Sequence, residues 1–139
     1  LFGGLLVDGF KTMTSPKTSS SGVILFAHGS RDPLWRLPID AVADRMRVQQ
    51  AGLPVAVAFL ELTEPDLPST VEGLMKQGVV HVRIVPMFLG VGRHAREDLP
   101  ELVQGLTQAY PQMSFELLPA IGEHPAMTAL MADIAAGMA

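Results

Sequence analysis

Three side chains able to work together on a metal or a proton stand at equal intervals. Thirty-three residues separate His28 from Glu61, and thirty-three more separate Glu61 from His94. Each follows an apolar run and coincides with a turn. His28 ends Phe26-Ala27 and opens Gly29-Ser30-Arg31-Asp32-Pro33; Glu61 follows Val55–Leu60; His94 ends Pro86-Met87-Phe88-Leu89-Gly90-Val91-Gly92-Arg93. Two imidazoles and a carboxylate with open positions suit a divalent first-row ion such as Co²⁺, Fe²⁺, Ni²⁺ or Zn²⁺. The spacing leaves a second assignment open, in which His28 caps a turn, Glu61 is solvated and His94 bonds to Asp98 on its own helix.

The other candidates are more ordinary. His81 lies in a strand pattern and reads as a surface or edge histidine. His124, in Gly122-Glu123-His124-Pro125, follows a strand end, so it either approaches the same rim or opens a helix, and helix entry is favoured. Glu97, Asp98 and Glu101 are expected in the first turn of the third helix, where negative charge suits the dipole. With no cysteine in the chain, thiolate sites and cysteine nucleophiles are excluded and any metal falls to His, Asp or Glu. The net charge of −4 offers no basic field to nucleic acid. His28-Gly29 lacks the arginine that precedes a phosphohistidine in phosphoglycerate-mutase-like enzymes, since Ala27 stands there. No Gly-x-Ser-x-Gly elbow, Walker motif or Gly-x-Gly-x-x-Gly after the first strand occurs.

The elements that position these residues follow from patterning. Strands are expected at Val23–Ala27, Val55–Leu60, Val79–Phe88 and Ser114–Pro119, the first two nearly continuous apolar runs, as in a parallel sheet covered on both faces. Helical stripes alternate with them: Ile39, Val42, Ala43 and Met46; Val71, Leu74 and Met75; Leu99, Leu102, Val103 and Leu106; and Met127, Leu130, Met131 and Ile134 behind Pro125. This is an α/β fold, four βα units around a four-stranded parallel sheet with helices on both faces. In the flavodoxin-like order 2-1-3-4, His28 and His94 flank the crevice at the carboxyl ends of the strands, where open sheets bind ligands. The 139 residues, 48% hydrophobic and 17% charged, suit one domain over 22–139, and no apolar run reaches the roughly 20 residues that span a bilayer. Residues 1–21 read as a disordered leader or appended tail, with Met13 a candidate natural start. The methionines read mainly as core filler.

Four segments together resemble the CbiX-type sirohydrochlorin chelatases, in order and in spacing, over about residues 22–136. They are Ala27-His28-Gly29-Ser30, Phe59-Leu60-Glu61 with Pro65, Pro86-x-Phe88-Leu89-x-x-Gly92-x-His94-x-x-x-Asp98-Leu99-Pro100, and Gly122-x-His124-Pro125. The resemblance implies a chelatase half-domain that inserts Co²⁺ or Fe²⁺ into sirohydrochlorin without ATP, on the route to cobalamin or sirohaem; a related branch inserts nickel. It carries the metal-binding and catalytic roles onto His28, Glu61 and His94. A tetrapyrrole bearing many carboxylates calls for local basic groups, and Arg31, Arg93 and Arg96 cluster beside the two histidines, with Ser30 and the Gly90–Gly92 backbone as further donors. The metal is then a substrate and no cofactor is permanently bound. Since imidazole ligands must be neutral, activity is expected to fall as pH drops through the ordinary imidazole range near about 6.5.

Larger members of the superfamily have two such halves, which implies a homodimer here, with Leu34, Trp35, Leu37, Met87, Phe88 and Leu89 lining the cleft or the contact. The expected setting is cytoplasmic, with neither nucleic acid nor membrane as partner. The competing reading is a binding module that carries metal or tetrapyrrole without insertion.

Overall fold

The computed structural model describes residues 20–139, so the expected leader lies, but for its last two positions, outside the described residues. Four strands, β1 (Ser21–Ala27), β2 (Val55–Phe59), β3 (His81–Pro86) and β4 (Ser114–Leu117), form one sheet in the order β2-β1-β3-β4. Every pairing is parallel, with Ala27 opposite Phe59 and Phe26 opposite Pro86. The expected order is observed. Strand β1 opens at Ser21, one residue before the expected domain start, and the carbonyl of Ser20 accepts from the backbone N–H groups of Val80 and His81.

Helices α1 (Leu37–Gln49), α2 (Leu67–Lys76), α3 (Arg93–Ala109) and α4 (Pro125–Ala135) follow the strands in turn, with a short 3₁₀ turn at Ile121–Glu123. The central position of β1 explains its apolar run: Ile24 and Phe26 point to one face and Val23, Leu25 and Ala27 to the other, all buried. On the first face, Leu67, Val71 and Leu74 of α2 and Leu99 and Leu106 of α3 pack on Ile24, Phe26 and Ile84. On the second, Ala43 of α1 with half-buried Ile39 and Met46 packs on Val23, Leu25, Val55 and Val57. Each fully buried side chain of this size contributes about 1.5–3 kcal/mol of transfer free energy.

Several expected boundaries move. Strand β3 is shorter at both ends than Val79–Phe88, and its alternation is real: Val82 and Ile84 are buried on one face while His81 and Arg83 are exposed on the other. Helix α3 starts six residues before its apolar stripe, capped at Gly92, and continues through Pro100. Glu97, Asp98 and Glu101 therefore lie beyond the first turn, and the expected dipole role does not apply to them. The stripe of α4 is not core, since no residue of that helix is buried. Among the described residues no helix is long and apolar enough to cross a membrane.

Candidate functional site

The ladder between β1 and β2 continues past both strands. The N–H of Leu60 donates to the Ala27 carbonyl at 2.9 Å, and the N–H of Glu61 donates to the His28 carbonyl at 3.0 Å. Parallel pairing thus carries His28 and Glu61 side by side off the sheet's carboxyl edge. Their side chains meet there, Nε2 of His28 standing 3.0 Å from Oε2 of Glu61, both more than half exposed. Gly29 makes the approach possible. It sits at φ +110°, and a Cβ at that position would fall 1.7 Å from the Glu61 carbonyl oxygen.

His94 comes from the next strand tip but one residue inside a helix. The loop after β3 passes through Gly90 and Gly92, and α3 begins at Arg93, so His94 stands exposed in the helix's first turn. Its imidazole has no hydrogen-bond partner among the described residues. His28 and His94 border one concavity of about 550 Å³ with Leu60, Phe88, Leu89, Gly92 and Asp98. The walls are mainly apolar and the histidines sit at the crevice between β1 and β3, the switch point of this strand order. Among the described residues, no group of three or more His, Asp or Glu side chains is arranged to hold a metal ion. His28 and Glu61 touch, and His28 shares the concavity with His94.

The basic residues are arranged unequally. Arg31 is exposed on the loop after β1, and Arg93 reaches Glu97 at 3.9 Å with a largely solvated head. Arg96 is instead committed to structure, donating to the Val91 carbonyl at 2.9 Å and so bracing the Gly90–Gly92 loop. Ser30 is likewise a turn residue, its Oγ accepting from the Asp32 N–H at 3.1 Å. His124 takes the helix-entry role, its Nδ1 accepting from the Ala126 N–H at 3.0 Å as the cap of α4. His81 is exposed and bonds to the Ser114 hydroxyl.

One residue near the site, Arg36, went unmarked in the sequence. Arg36 lies over the Phe59 ring at 4.7 Å, is held by Asp40 at 2.8 Å, and donates to the Glu64 carbonyl at 3.4 Å. It ties the start of α1 to the loop that carries Glu61. Trp35 meets the same Phe59 ring at 6.1 Å, which leaves Leu34 and Leu37 as exposed apolar groups beside the His28 loop. The Arg36–Asp40 pair shows the i to i+4 spacing of a helical ion pair, the one signal by which Arg36 could have been found.

The CbiX family model matches residues 22–136. Among curated proteins, the sirohydrochlorin cobaltochelatase of Methanothermobacter thermautotrophicus is 38% identical over 82 residues, 59% of this chain and 57% of that protein. The sirohydrochlorin ferrochelatase of Priestia megaterium is 31% identical over 104 residues, 74% of this chain and 39% of that protein. The matched stretches thus span little more than half of the first relative and well under half of the second. Among solved structures, a cobalamin biosynthesis CbiX protein from Marinobacter aquaeolei superposes with a TM-score of 0.75 at 31% identity, covering 84% of this chain and 95% of that one. The sirohydrochlorin chelatase SirB of Bacillus subtilis subspecies spizizenii, in complex with cobalt, superposes at 0.67 with 28% identity, covering 84% of this chain and 51% of that one.

Proposed function

The chain belongs to the CbiX family, and from that premise we propose that it is a chelatase inserting a divalent ion, Co²⁺ or Fe²⁺, into sirohydrochlorin without ATP, in cobalamin or sirohaem formation. The observation that carries this reading is the contact of His28 with Glu61 at the mouth of an apolar concavity that His94 also borders. Relatives named for cobalt and for iron insertion into sirohydrochlorin support the substrate class.

Each insertion releases two pyrrole N–H protons as the dication enters, so a site needs ligands for the ion and a base for the protons. His28 and His94 supply neutral imidazole nitrogens, and Glu61 orients His28 and takes up a proton or completes the coordination. The apolar walls at Leu60, Phe88 and Leu89 accept the macrocycle's face. Arg31 and Arg93 keep solvated guanidinium groups for its carboxylates, and Gly92 lets it approach the backbone, while Ser30 and Arg96 shape the loops that present them. The metal enters as a substrate, and no resident cofactor is required.

A solved CbiX protein covered to 95% by the matched region is a single half where the cobalt-bound chelatase has two, which supports a homodimer whose second copy supplies the other wall of the cleft. A cysteine-free chain suits a reducing compartment, and we place the reaction in the cytoplasm.

The test is to mix the folded chain with sirohydrochlorin and Co²⁺ or Fe²⁺ and follow absorbance. A rate above the uncatalysed one is expected for at least one of the two ions. A rate equal to the spontaneous one with both would overturn the assignment in favour of a carrier.

A further inference from the structure

Among the described residues, one face of the sheet is half uncovered and one helix packs on no strand of it. A right-handed crossover from β1 to β2 puts α1 on one face, while the crossovers to β3 and β4 run the other way across the sheet and put α2 and α3 on the opposite face. Over β3 and β4 the first face is left open. His81, Arg83, Ser114 and Glu116 are exposed there and, with Val23 and Leu53, border a concavity of about 410 Å³. Arg83 and Glu116 pair at 3.4 Å, so the strip presents no uncompensated charge to an apolar element. Towards the strand ends, half-buried Met87, Leu118 and Ile121 make it apolar.

Helix α4 would complete that layer, yet it lies elsewhere. The turn before it is fixed: the Gly122 N–H donates to the Phe88 carbonyl at 2.9 Å, and a Cβ on Gly122 would fall 2.2 Å from the Leu89 carbonyl oxygen. From this turn, with His124 as its cap, α4 packs on Ile121–Glu123 and is held away from its own sheet. Leu130 is 47% and Ile134 60% exposed. At about 1.5 Å per residue the helix is roughly 16 Å long, the length of a strand of five residues.

We infer that α4 of each copy docks on the open β3–β4 face of a second copy, a reciprocal exchange that rests on the two-copy reading above. The second copy is the favoured occupant because the open strip and the uncovered helix belong to one chain and match in length, and because the CbiX protein of Marinobacter aquaeolei, covered to 95% by the matched region, is itself a single half of this kind. The size also fits. A helix about 10 Å across and the sheet strip beneath it remove several hundred Å² from water, and exchange makes the contact twice, which approaches the total of about 1,600 Å² buried in stable interfaces. Because the turn at 121–123 rests on the loop that borders the His28 and His94 concavity, the exchange would also fix the partner beside that site.

The absence of cysteine makes the test clean. Ile134→Cys gives a single attachment point for a benzophenone photo-crosslinker on the full chain. Equal amounts of ¹⁵N-labelled and unlabelled protein are mixed, allowed to exchange subunits, irradiated and digested. Cross-linked peptides joining α4 of one isotope to β3 or β4 of the other are expected. Peptides of one isotope only, joining the same segments, would place α4 on its own sheet and overturn the exchange. Capture of another surface within a dimer would overturn the exchange and leave the two-copy reading standing, whereas a monomer in sedimentation equilibrium would overturn both. Leu130→Glu, at an exposed position, provides a second arm. Its circular dichroism should match the parent while the dimer dissociation constant rises by about tenfold or more, and an unchanged constant counts against the exchange.

Discussion

Nε2 of His28 stands 3.0 Å from Oε2 of Glu61 because the β1–β2 register continues one residue beyond each strand and delivers both side chains to the same point. Exposed ion pairs contribute little to stability, so this contact is free to serve chemistry. His28→Ala, His94→Ala and Glu61→Gln should each lower the insertion rate by about 100-fold or more, while melting temperature and circular dichroism stay at the parental values. Normal turnover in any one of the three would remove the role assigned to that residue.

Gly29 sets how closely those two side chains approach. In Gly29→Ala the new Cβ would fall 1.7 Å from the Glu61 carbonyl oxygen, at a φ of +110° that side-chain-bearing residues rarely adopt. The Glu61 backbone must retreat, which breaks its hydrogen bond to the His28 carbonyl. Denaturant titration should register a loss of about 1–3 kcal/mol, and the remaining folded protein, assayed well below its midpoint, should insert metal more slowly than the parent. A folded variant with parental turnover would separate the backbone contact from catalysis.

How much of this is legible in the sequence depends on whether a signal is local. Buried parallel strands read as continuous apolar runs, so β1 and β2 are visible. Once they are, the equal spacing places His28 and Glu61 on neighbouring strand ends, whereas His94 stands past the loop after β3, in the first turn of α3. The start of α3 is less visible, because Gly92 caps without a side chain and Pro100 interrupts the pattern that would announce the helix. Asp98 consequently reads as dipole support, whereas the fold sets it on the wall of the concavity. Periodicity reports that one face of α4 is apolar but not what covers it, so Leu130 and Ile134 read as core while standing exposed. Arg36 over Phe59 joins residues far apart in the chain, and nothing in either local stretch announces the pair.

The three arginines beside the histidines should separate by role. Arg31 and Arg93 have exposed heads able to meet substrate carboxylates, so Arg31→Ala and Arg93→Ala should raise KM for sirohydrochlorin by up to about tenfold. Steady-state assays at rising ionic strength should shrink that difference, since exposed charges are screened within about 8–10 Å, with kcat nearly held. Arg96 spends a donor on the Val91 carbonyl, so Arg96→Ala should loosen the Gly90–Gly92 loop and lower kcat as well. Equal and salt-independent effects at all three positions would contradict the division.

Acid stability should carry the mark of Asp66, the cap of α2. Its carboxylate accepts from the Ser69 N–H at 2.9 Å, and the bonds with Ser69, side chain first and then backbone, lower its pKa below the ordinary 3.8. A group titrating lower in the folded state than in the unfolded one adds stability that is complete above the unfolded value and is lost as pH falls through the folded value. The cap is therefore present throughout the neutral range and disappears only below about pH 3.8. Asp66→Asn keeps an oxygen acceptor in place and removes the titration. Melting temperatures measured from neutral pH down to strong acid should start slightly lower for the variant and then converge on the parent as the parent's own cap is protonated. Profiles that stay parallel across that range would show that Asp66 is not the group responsible.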